Sequence, residues 1–419
     1  MNINKNPFYL FVERNIKAIH KDGLPALLVM LRKLIIYLPI GLLALPVILL
    51  IRLLHPLCLI RFGALINERI GHYAGNTELY LCEKDADLNN TKAIDIFYNG
   101  SPITCNYQLK KMWERTLLVS RYARWFDLIN QMIPGGEKHI IPLPSDRDTK
   151  CLFSRFKTHL IFTPEEETIG KQYLESKGLN NDTKFVCFYS RDTAYLDTIF
   201  RYPAGTWSYH NYRNSSIHGQ IPAVQALVKR GHYAFRMGSV VEDALNINNK
   251  KIIDYTTNGD RTDFLDIYLC AKCHFFLCGE GGLAVVPYVF RKPIVAVNQI
   301  PLQYCPISLT DLFIPKKLWW KEKGRFMTFT EIFNTGAGRF LQSQDYERLG
   351  IECIENTTEE ITAVALEMDE RLKGLWKSTE EDEALQKRFQ SIFPISELHG
   401  KTRSRIGADF LIQNRKLLE

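Results

Sequence analysis

The sequence predicts an α/β protein with two domains of parallel sheet behind an N-terminal hydrophobic segment. Three observations carry this. At 419 residues and 46% hydrophobic, the chain is too long for one ordinary domain and apolar enough to bury two cores. Its second half alternates apolar strands with helical patterns, as in a parallel sheet covered by helices on both faces. Between His274 and Asn298, HFFLCGEGGLAVVPYVFRKPIVAVN, an apolar strand breaks into glycines, an apolar helical run and a second apolar strand. That is a ligand-binding β-loop-α-β pattern, in which backbone N–H groups at a Gly-rich turn and helix start can hold a diphosphate.

The N-terminal end is both basic and greasy. Through Gly75, nine Lys/Arg stand against three Asp/Glu, most of the net charge of +7. Leu34 to Ile51 form 18 uncharged positions bracketed by Arg32, Lys33 and Arg52, a membrane-segment pattern. A straight helix of that length reaches about 27 Å, slightly short of the hydrocarbon core, and Pro39, Gly41 and Pro46 are expected to bend it. A re-entrant or in-plane segment fits as well as a span. Basic residues on both sides favour both flanks on the cytoplasmic, anionic face. The expectation is a monotopic anchor near 34–51 that holds the protein on the cytoplasmic face of the (inner) cell membrane; a buried core hairpin is the alternative. A cleaved signal peptide fits poorly, because 33 residues precede the apolar run and no small-residue cleavage site follows it.

From Cys58 the pattern turns globular, with CLIRFGAL as a first strand and INERIGHYAGN as a loop opening a helix. Strands are expected at 93–99, 116–120 and 139–144, with a helix from Tyr122 to Met132 between the last two. Periodicity fades from Ser145 to Thr163, where the domain junction is placed. TPEEETIGKQYLESKG then reads as a helix with Thr163 as cap, Pro164 in the first turn, Glu166 completing a capping box and Gly178 as stop. Strand FVCFYSR, helix IPAVQALVKRG, strands HYAFRMG and KIIDY, helix TDFLDIYLCAKC and strand HFFLCG lead into the Gly-rich loop. A later helix starts at Thr357 with Glu360 as capping partner and should bury Ile361, Val364, Ala365 and Met368. Ten cysteines at irregular spacing read as reduced core residues; Cys270 and Cys273 form a CxxC without a second pair.

The motifs RIGHYAGNTE, FYSRDTAYL, YHNYRNSSI, ALVKRGHYAFRMGS, HFFLCGEGG to KPIVAVN, and EMDERLKGLW resemble those of a family of bacterial glycosyltransferases associated with surface-polysaccharide gene clusters. The resemblance runs from about Pro46 to the C-terminus and is strongest in the second half. It implies a GT-B-like fold, two Rossmann-like domains facing a cleft. The domains would be 1–55, the basic membrane-associated segment; 56–160, an acceptor domain; 161–345, a nucleotide-sugar donor domain; and 346–419, C-terminal helices packing back on the domains. Gly279, Glu280, Gly281 and Gly282 would then face the donor, the glycines allowing close backbone approach and Glu280 accepting from ribose or sugar hydroxyls.

Arg191, after FVCFYS, is placed to neutralise a leaving diphosphate, with Tyr195 as a nearby wall; an ion pair with Asp192 is the structural alternative. Arg213 and Asn214 are further phosphate or acceptor contacts, against helix capping by Asn214 or Ser215. Arg236, Gly238 and Ser239 end one strand and Asp254 ends the next, where ribose or base would lie, although a strand-terminating glycine needs no ligand. Pro287 limits the helix after the loop. A base for the acceptor hydroxyl is expected from His72 or Glu68, which flank the turn INERIGH. Asp85-Ala86-Asp87 spells DxD, but so early in the globular region it reads as a loop rather than a cation site.

The function implied is transfer of a sugar from a nucleotide-sugar donor to a lipid-linked or oligosaccharide acceptor, without a cofactor or a divalent metal, alongside glycan-assembly partners. A non-catalytic scaffold, a sugar-nucleotide epimerase and a polyol-phosphate transferase are the alternatives on this fold. Nucleic-acid binding is disfavoured because the positive charge lies beside the apolar segment and no basic-aromatic strip is present. No GxSxG elbow is present for serine hydrolase chemistry.

Overall fold

The computed structural model describes residues 23–88, 92–145, 147–199, 205–402 and 404–419. The chain divides into two units, the first holding the residues up to Arg69, Glu83–Cys105 and Lys110–Pro144, and the second Ile70–Cys82, Asn106–Leu109 and Ser145–Glu419.

In the first unit, Leu24–Leu53 runs as one helix through Pro39 and Pro46. The two prolines remove backbone donors without ending it. Its C-terminal half packs by a narrow stripe: Ala44 and Ile48, four residues apart and on one face, are buried. A Cβ on Gly41 would lie 3.4 Å from Ile129 Cδ1. Arg52, in the last turn, donates to Asn130 Oδ1 and to the carbonyls of Asn130, Ile133 and Pro134. Those acceptors close the helix Ala123–Met132, whose C-terminal end favours a cation. Elsewhere on Leu24–Leu53, Leu42, Leu43, Leu49, Leu50 and Leu53 are exposed. Among the described residues, no helix is long and apolar enough to cross a membrane.

Strands β1 (Leu59–Leu65) and β2 (Ala93–Asn99) pair in parallel. Arg61 and Asp95 are register partners, and Arg61 Nε donates to Asp95 Oδ1 at 2.7 Å. The strands expected at 116–120 and 139–144 shrink to single bridges, Phe97 to Val119 and Phe62 to Ile140. The causes are local. Leu117 is still bonded to Trp113 in the preceding helix, and Pro142 and Pro144 lack the donors a ladder needs. Phe62, Ile48 and Ala123 centre the core, joined by Ile51, Ile60, Ile96, Phe126, Ile129 and Ile133.

The second unit is built on a parallel sheet of β3 (Phe185–Tyr189), β4 (Tyr233–Arg236), β5 (Ile252–Ile253), β6 (Phe276–Cys278), β7 (Ile294–Gln299) and β8 (Leu312–Pro315). A small antiparallel sheet follows, of β9 (Lys317–Trp320), β10 (Arg325–Phe326) and β11 (Ile351–Ile354), and β12 (Arg405–Ile406) closes the main sheet at one edge. The order is β12-β8-β7-β6-β3-β4-β5, every neighbour parallel. The central strands are buried along nearly their whole length, as strands covered on both faces must be. KIIDY keeps only two residues in the ladder.

The chain lays β3, β4 and β5 outward to one edge, then returns to the other side of β3 with β6, β7 and β8. Its direction therefore switches between β3 and β6, and in such sheets ligands bind beyond the carboxyl ends at that point. The helices follow local rules. Thr163 with Glu166, and Thr357 with Glu360, form the expected capping boxes, and the later helix buries Ile361, Val364, Ala365 and Met368.

Candidate functional site

In a parallel sheet, the residue after each strand points to the same edge, and here several of those residues are polar. β3 leads into Ser190 and Arg191, β4 ends on Arg236 and β8 leads into Lys316. With the loop 211–218 they line a cavity of about 480 Å³, within the usual size for a small-molecule site. The loop is docked on the end of β3: Ser215 N donates to Arg191 O at 3.1 Å, and Ser190 Oγ donates to Ser215 O at 2.5 Å.

Arg191 Nη1 donates to His210 O at 2.9 Å and to Asn214 Oδ1 at 3.1 Å. Among the described residues it has no carboxylate partner. Asp192, its sequence neighbour, accepts instead from the amides of Ala194 and Glu242. Burial, and then the nearby Arg213, push the Arg191 pKa down. Its charge is thus held at a cost that a bound anion would relieve.

Lys316 is the functional candidate that sequence reasoning missed. Only 5% exposed, it donates from Nζ to Tyr212 O at 3.2 Å and to Asn214 O at 2.6 Å. Burial lowers its pKa, with Glu355 opposing. The available signal was positional: Lys316 follows the apolar LFIP as Arg191 follows the end of FVCFYS. Seeing it requires knowing that both segments are strands of one parallel sheet.

The remaining predicted residues divide. Arg236 lines the cavity, bonded through Nη1 to Asp243 O and, at 3.3 Å, to Asp254 Oδ2. Asp254 Oδ2 also accepts from Leu245 N at 2.8 Å and Thr257 Oγ1 at 2.7 Å, so this oxygen ties turns together. Gly238 adopts φ 150, and a Cβ there would come 3.1 Å from Val241 Cγ1; the turn needs the glycine for space and conformation. Ser239 beyond it is half-buried. Arg213 Nη2 reaches Glu280 Oε1 at 3.3 Å, and Asn214 supplies the oxygen that holds Arg191.

The glycine-rich loop lies at the switch point, but its glycines are taken up by packing. A Cβ on Gly279 would meet Ser215 Oγ at 2.9 Å, and one on Gly281 would meet the Tyr189 ring at 2.7 Å. A Cβ on Gly71, in the helix Ile70–Asp85, would lie 3.0 Å from Gly282 Cα, and one on Gly75 2.7 Å from Val285 Cγ1. Gly71 and Gly75 share a helix face, so small residues on both sides bring helix and loop together. The helix after the loop is a 3-10 turn, Gly282–Ala284, and the short segment Val285–Val289 containing Pro287. Glu280 has both oxygens engaged, Oε1 by Arg213 and Oε2 by Gln299 Nε2 at 3.0 Å.

His72 stands beside Gly71 in the first turn of its helix, its Nδ1 3.3 Å from Asn76 Oδ1. Glu68 lies in the preceding turn, in the first unit. Asp85 ends the helix and Asp87 has φ 52 in the turn beyond, the loop character expected of the DxD triplet. Elsewhere in the second unit, Glu78, Cys82 and His159 bring potential ligand atoms within 4.8 Å of one another. Arg291 Nη2 sits 2.6 Å from Glu78 Oε1, so a guanidinium already neutralises that carboxylate.

No family model and no curated protein matches the chain. Among solved structures, it is similar to the ADP-heptose lipopolysaccharide heptosyltransferase II of E. coli at 13% identity, over 57% of this chain and 84% of that one, with a TM-score of 0.28. A glycosyl transferase of family 9 from Veillonella parvula is 12% identical over 58% of this chain and 82% of its own, with a TM-score of 0.32. The dodecameric iron-containing glycosyltransferase TibC of enterotoxigenic E. coli is 11% identical over 58% and 61%, with a TM-score of 0.31.

Proposed function

We propose that the protein is a membrane-associated glycosyltransferase that moves a sugar from a nucleotide-sugar donor to a lipid-linked or growing glycan on the cytoplasmic side of the membrane. The observation that carries the reading is the cavity at the carboxyl edge of the parallel sheet, beside the strand-order switch, where, among the described residues, Arg191 and Lys316 hydrogen-bond to neutral oxygens alone, while Asp192, Glu242, Asp243 and Glu355 share the lining. Two buried cations with no carboxylate partner among the described residues suit a ligand that brings its own negative charge, and a nucleoside diphosphate does so.

In this reading Arg191 and Lys316 balance charge on the diphosphate as the glycosidic bond breaks, which is the task a divalent cation performs in metal-dependent transferases. Arg236 and the hydroxyls of Ser190 and Ser215 orient the donor. Glu280, fixed by Arg213 and Gln299, positions the 211–216 loop and stands as a contact for sugar hydroxyls only if one of those bonds is exchanged. His72 takes the proton from the acceptor hydroxyl, with Glu68 as the alternative base. The exposed leucines of Leu24–Leu53 hold the protein where a lipid-linked acceptor resides.

The test is release of nucleoside diphosphate from a panel of sugar nucleotides by the full-length protein in detergent with lipid extract, in magnesium and in EDTA. Turnover with one donor, retained in EDTA and lost in Arg191→Ala and Lys316→Ala, is expected. Normal turnover in both variants would remove the cavity from the reaction.

A further inference from the structure

We infer that the helix Ala123–Met132 is a second membrane-contacting element, whose outer face binds anionic lipid headgroups through Arg121 and Arg124 and enters the acyl boundary through Leu128 and Met132. The inference rests on the membrane association proposed above but concerns different residues. At 100° per residue, positions 124, 125, 128 and 132 fall within an arc of about 100°. Arg124, Leu128 and Met132 on that arc, and Arg121 in the turn before the helix, are exposed, Leu128 and Met132 at 41% each. The opposite face buries Ala123, Asp127 and Asn130. Two cations at one end, a tryptophan beside them and two apolar side chains at the other make the pattern of a helix lying in a bilayer interface.

Neither arginine forms an ion pair among the described residues. Arg124 stands in the first turn of the helix and Arg121 just before its N-cap Tyr122, and that turn has no acidic residue and no side-chain cap. Cations at that end oppose the helix dipole, so within the fold they are placed at a cost. A surface of lipid phosphates supplies the missing negative charge.

The exposed leucines of Leu24–Leu53 lie on the helix that packs against Ala123–Met132. That helix and Ala123–Met132 pack on the same core around Phe62, and Arg52 bolts one to the other through Asn130, Ile133 and Pro134. The two helices therefore form one rigid lipid-facing surface, and the first unit is seated on the bilayer in a fixed orientation rather than tethered to it.

Flotation of the full-length protein with vesicles of phosphatidylcholine alone, or phosphatidylcholine mixed with phosphatidylglycerol, tests this. The wild type should prefer the anionic vesicles. Arg121→Gln with Arg124→Gln should cost about fivefold per arginine, roughly 25-fold for the pair, on anionic vesicles only, with a melting temperature that does not fall. Leu128→Gln with Met132→Gln should weaken binding to both vesicle types. Anionic binding that survives in the arginine pair overturns the inference and leaves the membrane reading standing. A wild type that floats with neither vesicle overturns both, and assigns the exposed helices to a protein partner.

Discussion

Arg191 and Arg291 lie in the same unit and are held in opposite ways. Arg291 is saturated: it reaches Glu78 at 2.6 Å, the carbonyls of Phe156 at 3.0 Å and Lys157 at 3.1 Å, and Val289 O, and its guanidinium lies 4.6 Å from the centre of the Phe153 ring. Arg191 has two neutral oxygens on one nitrogen. A half-buried cation that owns a carboxylate holds the fold together. One that owns only carbonyl or amide oxygens keeps capacity for an anion that arrives from outside.

The largest expected effect comes from breaking the saturated member. Arg291→Ala leaves Glu78, 0% exposed, with the His159 amide and imidazole at 3.3 Å as polar partners, and should lower stability by about 3 kcal/mol, read from denaturant unfolding. A loss below about 1 kcal/mol would mean the pair behaves as a surface ion pair and would weaken the contrast.

Next is the loop between the two regions. Gly281→Ala places a Cβ 2.7 Å from the Tyr189 ring, and such overpacking costs about 1–3 kcal/mol. If the loop were instead open and poised for ligand alone, the melting temperature would not move.

Asp311 sharpens the comparison from the acidic side. It is 1% exposed, takes the Ile294 amide at 3.0 Å and, among the described residues, has no cation partner; burial pushes its pKa up to about 8. The unfolded carboxyl titrates near 3.9. Between those values the folded form carries more protons than the unfolded one, so stability falls as pH rises and the penalty is complete above about pH 8. Asp311→Asn keeps an acceptor for Ile294 and should be stabilising by on the order of 1 kcal/mol or more at pH 8 and near neutral at pH 4. Equal effects at both pH values would contradict the burial argument.

The smallest expected change in stability is that of Arg191→Gln, within about 1 kcal/mol without ligand, because the loss of two charge-assisted hydrogen bonds is offset by removing a cation held in a buried site.

What the sequence disclosed tracks the range of the interaction. Thr163 with Glu166 and Thr357 with Glu360 are capping boxes spanning three residues, so local spacing sufficed. The strands flanking the glycine loop were legible because burial on both faces leaves continuous apolar runs. Arg191 was legible as the cation after such a run. The use of the glycines was not: it depends on the Tyr189 ring and on Gly71, more than two hundred residues from Gly282. Lys316 was hidden for the same reason, since its meaning comes from β8 lying in one sheet with β3. The strands expected at 116–120 and 139–144 were overread because apolar character alone does not weigh a helix end or two prolines.

The most direct test of the account is isothermal titration of UDP, GDP, CDP and ADP into the wild-type protein and into Arg191→Gln and Lys316→Gln, with EDTA present. One diphosphate should bind the wild type, with affinity falling at least tenfold, about 1.4 kcal/mol, in each variant while their melting temperatures hold. Equal binding by all three proteins would contradict it, because the anion would then be held by groups other than the two cations that lack carboxylate partners.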